Sequence, residues 1–123
     1  MSFILIVEDN DKNMKLVRDV LQAKGYETAG AVTGEDGVCM ARELLPDAIL
    51  MDIQLPGMSG VEALKMLRAN PATAPIPVIA ITASVMDQDR ARILAAGFDA
   101  YVSKPISLKP FLEAVKAVVE RRP

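Results

Sequence analysis

Four apolar runs along this chain each end at residues that can carry charge or donate a hydrogen bond. Phe3 to Val7 is followed by Glu8 and Asp9, Ala48 to Met51 by Asp52, Val78 to Ile81 by Thr82, and Ala100 to Val102 by Ser103, Lys104 and Pro105. On neighbouring strands of one sheet, those residues would bring three carboxylates, a hydroxyl and an ammonium to a single rim. Like unit charges 4 Å apart repel by roughly 4 kcal/mol at an effective dielectric of 20, so clustered carboxylates need protons or a cation. The chain has no His and only one Cys, Cys39, so the donors there are all oxygen. An all-oxygen site favours Mg²⁺, which keeps several waters and takes one or two carboxylates plus phosphate oxygens. Asp52 is then suited to attack an incoming phosphorus in line, as aspartyl-phosphate proteins do. Lys104 would pair with one phosphoryl oxygen and the Thr82 hydroxyl would donate to another. Each residue alone has a plainer explanation: Asp9 or Asp11 as a helix cap, Thr82 as a strand end, Lys104 as a solvated charge. The combination at successive strand ends is what favours chemistry.

The elements that must position these residues are legible as alternating periods. After the strand Phe3 to Val7, the residues from about Asp11 to Ala23 repeat apolar positions at helical spacing (Met14, Val17, Val20, Leu21), and Gly25 ends the helix. Glu27 to Ala31 is a weaker, more polar strand suited to a sheet edge. Gly34 to Leu45 reads as a second helix stopped by Pro46. Ala48 to Met51 and Val78 to Ile81 are uninterrupted apolar runs, the signature of strands buried on both faces of a parallel sheet. Between them a third helix spans about Gly60 to Ala69. A fourth, about Met86 to Ala96, closes on Gly97, and a fifth, about Leu108 to Arg121, carries a broad stripe of Phe111, Leu112, Val115, Val118 and Val119. Five strands alternating with five helices predict an α/β fold, a doubly wound (βα)5 three-layer sandwich with a parallel sheet of flavodoxin-like order 2-1-3-4-5. In such a sheet ligands bind at the carboxyl ends of the strands, where strand order reverses.

Composition bounds the rest. With 123 residues, a single domain spanning 1–123 is expected, with a core large enough to stand without staples. Fourteen basic and sixteen acidic residues leave a net charge of −2, which argues against disorder and against a nucleic-acid partner. One Cys excludes an internal disulfide, and zero His excludes imidazole ligands, a His-based triad and phosphorylation on histidine. The amino terminus is too short in its apolar run for a signal peptide or a membrane span, so a cytoplasmic protein is expected.

The acidic pair Glu8 and Asp9, Asp52 in the run Met51 to Gly60, Thr82 with Ala83, and Lys104 with Pro105 resemble the response regulator receiver domains of two-component signalling over nearly the whole chain. That resemblance implies that Asp52 is the phosphoacceptor and that Mg²⁺ is held by Glu8, Asp9 (one of them through water), Asp52 and the Gln54 backbone carbonyl. It also implies a cis bond at Pro105, and a switch in which Thr82 moves toward the phosphoryl group while Tyr101 turns inward. A rim role for Tyr101 on an edge strand is the alternative. The implied partners are a sensor or hybrid histidine kinase and a histidine phosphotransfer protein. The implied output surface is the fourth helix, fifth strand and fifth helix, used as a monomer or weak dimer without an output domain. Stretches such as Ile49 to Pro56 and Ser103 to Ser107 are similar to receivers of alphaproteobacterial cell-cycle control.

Several alternatives are weighed against this. The chain as a passive phosphorelay intermediate or phosphate sink remains open. An aspartyl-nucleophile phosphatase would, by its own family pattern, place a second Asp where Gln54 stands, so an enzyme acting on other substrates is not expected. A flavin or nucleotide module would want a Gly-rich loop where Glu8, Asp9 and Asn10 stand. Cys39 is expected as a small core residue, and Met14, Met40, Met51 and Met66 as core fillers. Met58 and Met86 are candidates for contact with a docking kinase. Gln54 and Ser84 flank the expected path of hydrolytic water, and Arg121 with Arg122 complements a helix terminus.

Overall fold

The computed structural model describes residues 2–83, 87–104 and 106–120, with the side chains of 87–90 excepted. Ten elements alternate along the chain: β1 (Phe3–Val7), α1 (Asp11–Ala23), β2 (Glu27–Ala31), α2 (Gly34–Leu44), β3 (Ala48–Asp52), α3 (Gly60–Ala69), β4 (Val78–Thr82), α4 (Asp87–Ala96), β5 (Ala100–Ser103) and α5 (Leu108–Glu120). The strands form one parallel sheet in the order β2-β1-β3-β4-β5. This is the doubly wound architecture that the alternating pattern predicts.

Side chains alternate across the sheet with period two, so each strand feeds two cores. Leu5, Val7, Ile49, Met51, Val78 and Ala80 pack with Val38, Ala41, Ala63, Leu64 and Leu67 of α2 and α3. Ile4, Ile6, Leu50, Ile79 and Ile81 face the other way, onto Val17 and Leu21 of α1 and Phe111, Val115 and Val118 of α5. Strands β3 and β4 are buried at every position, whereas β2 is half exposed, as its edge place requires. None of the described helices is long and apolar enough to cross a membrane.

Local chemistry sets the helix ends. Asn10 caps α1, its Oδ1 accepting the Asn13 N–H at 3.0 Å, so neither Asp9 nor Asp11 is the cap. Ser59 and Glu62 form a reciprocal capping box at the start of α3. Helix α2 stops at Leu44, one residue short of the expected end, because Leu45 turns left-handed (φ 47°) ahead of Pro46. Proline disfavours the helical region for the residue before it. Gly97 ends α4 with φ +113°, as the cap reading expects.

Two expected core residues lie elsewhere. The buried stripe of α2 is Gly34, Gly37, Val38 and Ala41. Cys39 follows Val38 by about 100° of helical rotation and faces solvent. Met66 likewise falls off the stripe Gly60, Ala63, Leu64 and Leu67 of α3 and is 39% exposed. Met51 is fully buried, and Met14 and Met40 are partly buried against the cores. Pro105, Ser84, Met86, Arg121 and Arg122, each with an expectation attached, lie outside the described residues.

Candidate functional site

The three strands that end in Asp52, Thr82 and Ser103 each run one residue further than the apolar runs suggest. The ladder continues through Asp52↔Ile81 and Thr82↔Ser103, so the polar side chains stand on the last rung of the sheet. Strands β1 and β3 lie side by side where strand order reverses. Glu8 and Asp9 therefore face Asp52 across the switch point, where open α/β sheets bind ligands.

One carboxylate oxygen from each of Glu8, Asp9 and Asp52 lies within 4.8 Å of the other two. Glu8 and Asp52 are buried and Asp9 is exposed, so the trio reaches solvent at Asp9. Lys104 projects from the end of β5 and places its Nζ 2.8 Å from Oδ2 of Asp52 and 3.3 Å from Oε1 of Glu8. The other oxygen of Asp52, Oδ1, accepts the Gln54 N–H at 2.9 Å. Glu8 Oε2 accepts the Asn10 N–H at 3.3 Å, while Oε1 is buried with no hydrogen-bond partner among the described residues. Its attraction to Lys104 is thus one of charge without hydrogen-bond alignment.

These surroundings set the protonation of the site. Burial pushes the Glu8 carboxyl from its ordinary value of 4.5 up to about 7, with the neighbouring Asp52 carboxylate adding to the rise and Asn10 and Lys104 opposing it. Burial works against the Lys104 ammonium, but its hydrogen bond to Asp52 and the negative charges of Asp52 and Glu8 outweigh that, and its pKa is raised. The ammonium and the buried Glu8 carboxyl stand side by side.

A divalent cation fits this donor set on two grounds. Three carboxylates converge without any nitrogen or sulfur ligand, and a buried oxygen of Glu8 has no hydrogen-bond partner among the described residues. Hard ions such as Mg²⁺ take such oxygen donors and remove the need for protons to neutralise them.

Thr82 is 6% exposed at the end of β4, and its carbonyl accepts the Lys104 N–H at 2.8 Å. Tyr101 is half-buried in β5 opposite Ala80. It packs on the α2–α3 side core and lines a cleft of about 290 Å³ with Val102, Ser103, Ser107 and Pro110. Gln54 is exposed, and Met58 lies in the loop before α3, half-buried against Gly34 at the amino end of α2. The structure thus brings Glu8, Asp9, Asp52, Gln54 and Lys104 together and sets Thr82 and Tyr101 two rungs apart on neighbouring strands.

Two residues that hold the site went unread in sequence. Gly60 lets α3 approach β3 so closely that a Cβ there would lie 2.5 Å from the Asp52 carbonyl oxygen. Asn10 both caps α1 and donates to Glu8. The Ser59-x-x-Glu62 spacing was a legible signal for where α3, and hence that contact, begins.

A family model described as the response regulator receiver domain matches residues 4–116. The polar-differentiation response regulator DivK of Brucella ovis is 50% identical over 114 residues, 93% of this chain and 93% of its own, and the DivK of Brucella abortus strain 2308 matches to the same extent. Among solved structures, the receiver domain of a sensor histidine kinase from Pseudomonas aeruginosa PAO1, with a magnesium ion coordinated in its active site cleft, is 32% identical with a TM-score of 0.89. It covers 97% of this chain and 98% of that one. The chemotaxis protein CheY4 of Vibrio cholerae is 25% identical with a TM-score of 0.89, covering 96% and 98%.

Proposed function

The chain belongs to the response regulator receiver family, and from that premise we propose that it takes a phosphoryl group onto Asp52 and signals through protein contact. The observation that carries this reading is the convergence of Glu8, Asp9 and Asp52 within 4.8 Å beside the Lys104 ammonium. The phosphoryl donor is a phosphohistidine on a sensor or hybrid histidine kinase or on a histidine phosphotransfer protein. The P–N bond of the donor breaks, a P–O bond to Asp52 forms, and the imidazole leaves with a proton from solvent. Mg²⁺ held by Glu8, Asp9, Asp52 and the Gln54 carbonyl would supply neutralising charge for the carboxylates and the phosphoryl oxygens. Lys104 leaves its present partner oxygen on Asp52 to hold a phosphoryl oxygen, and the Thr82 hydroxyl donates to another. The protein is a signalling component that acts on its own Asp rather than an enzyme turning over other substrates.

Thr82 moving toward the phosphoryl group would open space for the Tyr101 ring, carrying the change to the face made by α4, β5 and α5. A coupling of roughly 1 to 3 kcal/mol shifts partner affinity about 5- to 150-fold, enough for a switch. In this reading, supported by the likeness to the polar-differentiation regulators, the partners are proteins of two-component signalling, and the chain meets them in the cytoplasm as a monomer or a weak dimer through the same face. Tyr101→Ala should bind such a partner with the same affinity before and after phosphorylation; retention of the full phosphate dependence would remove Tyr101 from the switch.

The direct test is labelling by a small acyl phosphate with Mg²⁺. One acid-stable, hydroxylamine-labile phosphoryl group should appear per chain and should vanish with Asp52→Asn or on chelation of Mg²⁺. Equal labelling of Asp52→Asn would overturn the assignment.

A further inference from the structure

Strand β5 has only four residues, sits at the sheet edge and buries just one side chain fully, Val102. Register in a sheet is specified by which side chains must be buried, and here that demand is weak. Yet Lys104, which follows β5 directly, must reach Asp52 and Glu8 to within about 3 Å, as it does. Something other than the apolar pattern has to hold the strand lengthwise.

The opposite end of β5 carries that hold. The Arg68 guanidinium, at the end of α3, donates from Nη1 to the carbonyls of Ala74 (2.9 Å) and Ile76 (2.6 Å), and from Nη2 to the Gly97 carbonyl (3.0 Å) and Asp99 Oδ2 (2.9 Å). The same Asp99 oxygen accepts the Val78 N–H at 2.8 Å, and the Asp99 N–H returns to the Val78 carbonyl at 2.9 Å. One planar side chain therefore ties the α3–β4 connection, the end of α4 and the first rung between β4 and β5. Its fork geometry is what allows four acceptors at once, which an ammonium cannot reproduce. Thr73 stiffens the loop beneath it, its buried hydroxyl donating to the Leu67 carbonyl at 2.7 Å.

We propose that Arg68, acting through Asp99, is a positioning residue for Lys104, fixing the register of β5 from roughly 16 Å away. The inference rests on the role given to Lys104 above. Glu8 and Asp9 follow β1 and Asp52 ends β3, and among the described residues the hydrogen bonds of Arg68 go to neither strand, so its loss leaves the cation site in place and misplaces only the ammonium.

The experiment is a double-mutant cycle of Arg68→Gln and Lys104→Ala, read as the rate of Asp52 labelling by acetyl phosphate at saturating Mg²⁺, with the Mg²⁺ midpoint measured separately. Arg68→Gln should slow labelling by about tenfold, the order expected for a reacting group displaced by a fraction of an ångström to an ångström. The Mg²⁺ midpoint should stay within about twofold, and in the Lys104→Ala background Arg68→Gln should change the rate by less than about twofold. A general loss of stability would instead lower the rate equally in both backgrounds, and that result, or an unchanged rate for Arg68→Gln alone, overturns the proposal. Arg68→Lys and Asp99→Asn, gentler changes with the same predicted direction, keep it testable if Arg68→Gln does not fold. A Lys104→Ala rate equal to that of the unaltered protein would overturn the Lys104 role itself.

Discussion

Lys104 Nζ lies 2.8 Å from Oδ2 of Asp52, a residue 52 positions away in the chain, and the pair is nearly enclosed, with the Asp52 side chain 3% and the Lys104 side chain 24% exposed. A second carboxylate, Glu8, shares the same ammonium. Removing the cation leaves two buried acids facing each other. Deleting one member of a buried ion pair costs 3 to 5 kcal/mol in general. Partial exposure and protonation of Glu8 reduce that here to about 1 to 3 kcal/mol. Lys104→Met should therefore lower the midpoint of urea unfolding without Mg²⁺, and saturating Mg²⁺ should recover most of the loss. In an Asp52→Asn background the same change should cost well under half as much. Equal costs in both backgrounds would show that the pairing contributes nothing.

The raised Glu8 pKa makes stability depend on pH with a definite sign. A carboxyl that holds its proton up to about 7 when folded, against 4.5 ordinarily, binds more protons in the folded state between those values. Stability from this group is complete below about pH 4.5 and is lost as pH rises through about 7. The difference amounts to roughly 3 kcal/mol. Unfolding midpoints measured in chelator from pH 5 to 8 should fall more steeply for the unaltered protein than for Glu8→Gln. Mg²⁺ should flatten the slope, since the cation takes the deprotonated form. Parallel curves for the two proteins would rule out Glu8 as the titrating group.

What could be read from the sequence followed from periodicity, and what could not followed from contacts between distant segments. The runs Ala48 to Met51 and Val78 to Ile81 announce central strands because every position is apolar, and the polar residue that ends each run marks the rim. Asp52, Thr82 and Lys104 were legible for that reason. Cys39 and Met66 were misread because an apolar residue in an amphipathic helix can lie just off the buried stripe, where one position of rotation decides burial. The Arg68 network had no local signature, since its acceptors are backbone carbonyls and a carboxylate up to 31 positions away. Gly60 was visible as a letter of the motif, but the reason for it, the backbone of Asp52 and Ile53 within 3 Å, exists only in three dimensions.

The outward position of Cys39 has a direct chemical consequence. Its thiol is exposed, with Sγ 3.7 Å from Oε1 of Glu43 one turn along the helix. Native protein should react with Ellman's reagent to one thiol per chain without denaturant, and Cys39→Ser should change stability by less than about 0.5 kcal/mol, as exposed substitutions do. A thiol titrating only after unfolding would return Cys39 to the core.

Gly60→Ala sets two effects of opposite sign against each other. At an unconstrained helix position alanine is favoured over glycine by about 1 kcal/mol. Here the new methyl would stand 2.5 Å from the Asp52 carbonyl oxygen and 2.8 Å from Ile53 Cα, backbone atoms that cannot swing aside as a side chain tip would. Relief requires α3 to lift or the end of β3 to shift, and overpacking of this kind costs about 1 to 3 kcal/mol. Sterics win, so the variant should be less stable despite its better helix propensity. Because the displaced backbone carries Asp52, the Mg²⁺ midpoint should weaken as well, by roughly threefold or more, a factor set by separating one of three convergent oxygen donors from the others. A Gly60→Ala protein with unchanged Mg²⁺ affinity and lowered stability would mean that α3 alone yields and that the Asp52 carboxylate is held by β3 and Lys104 without help from the close approach.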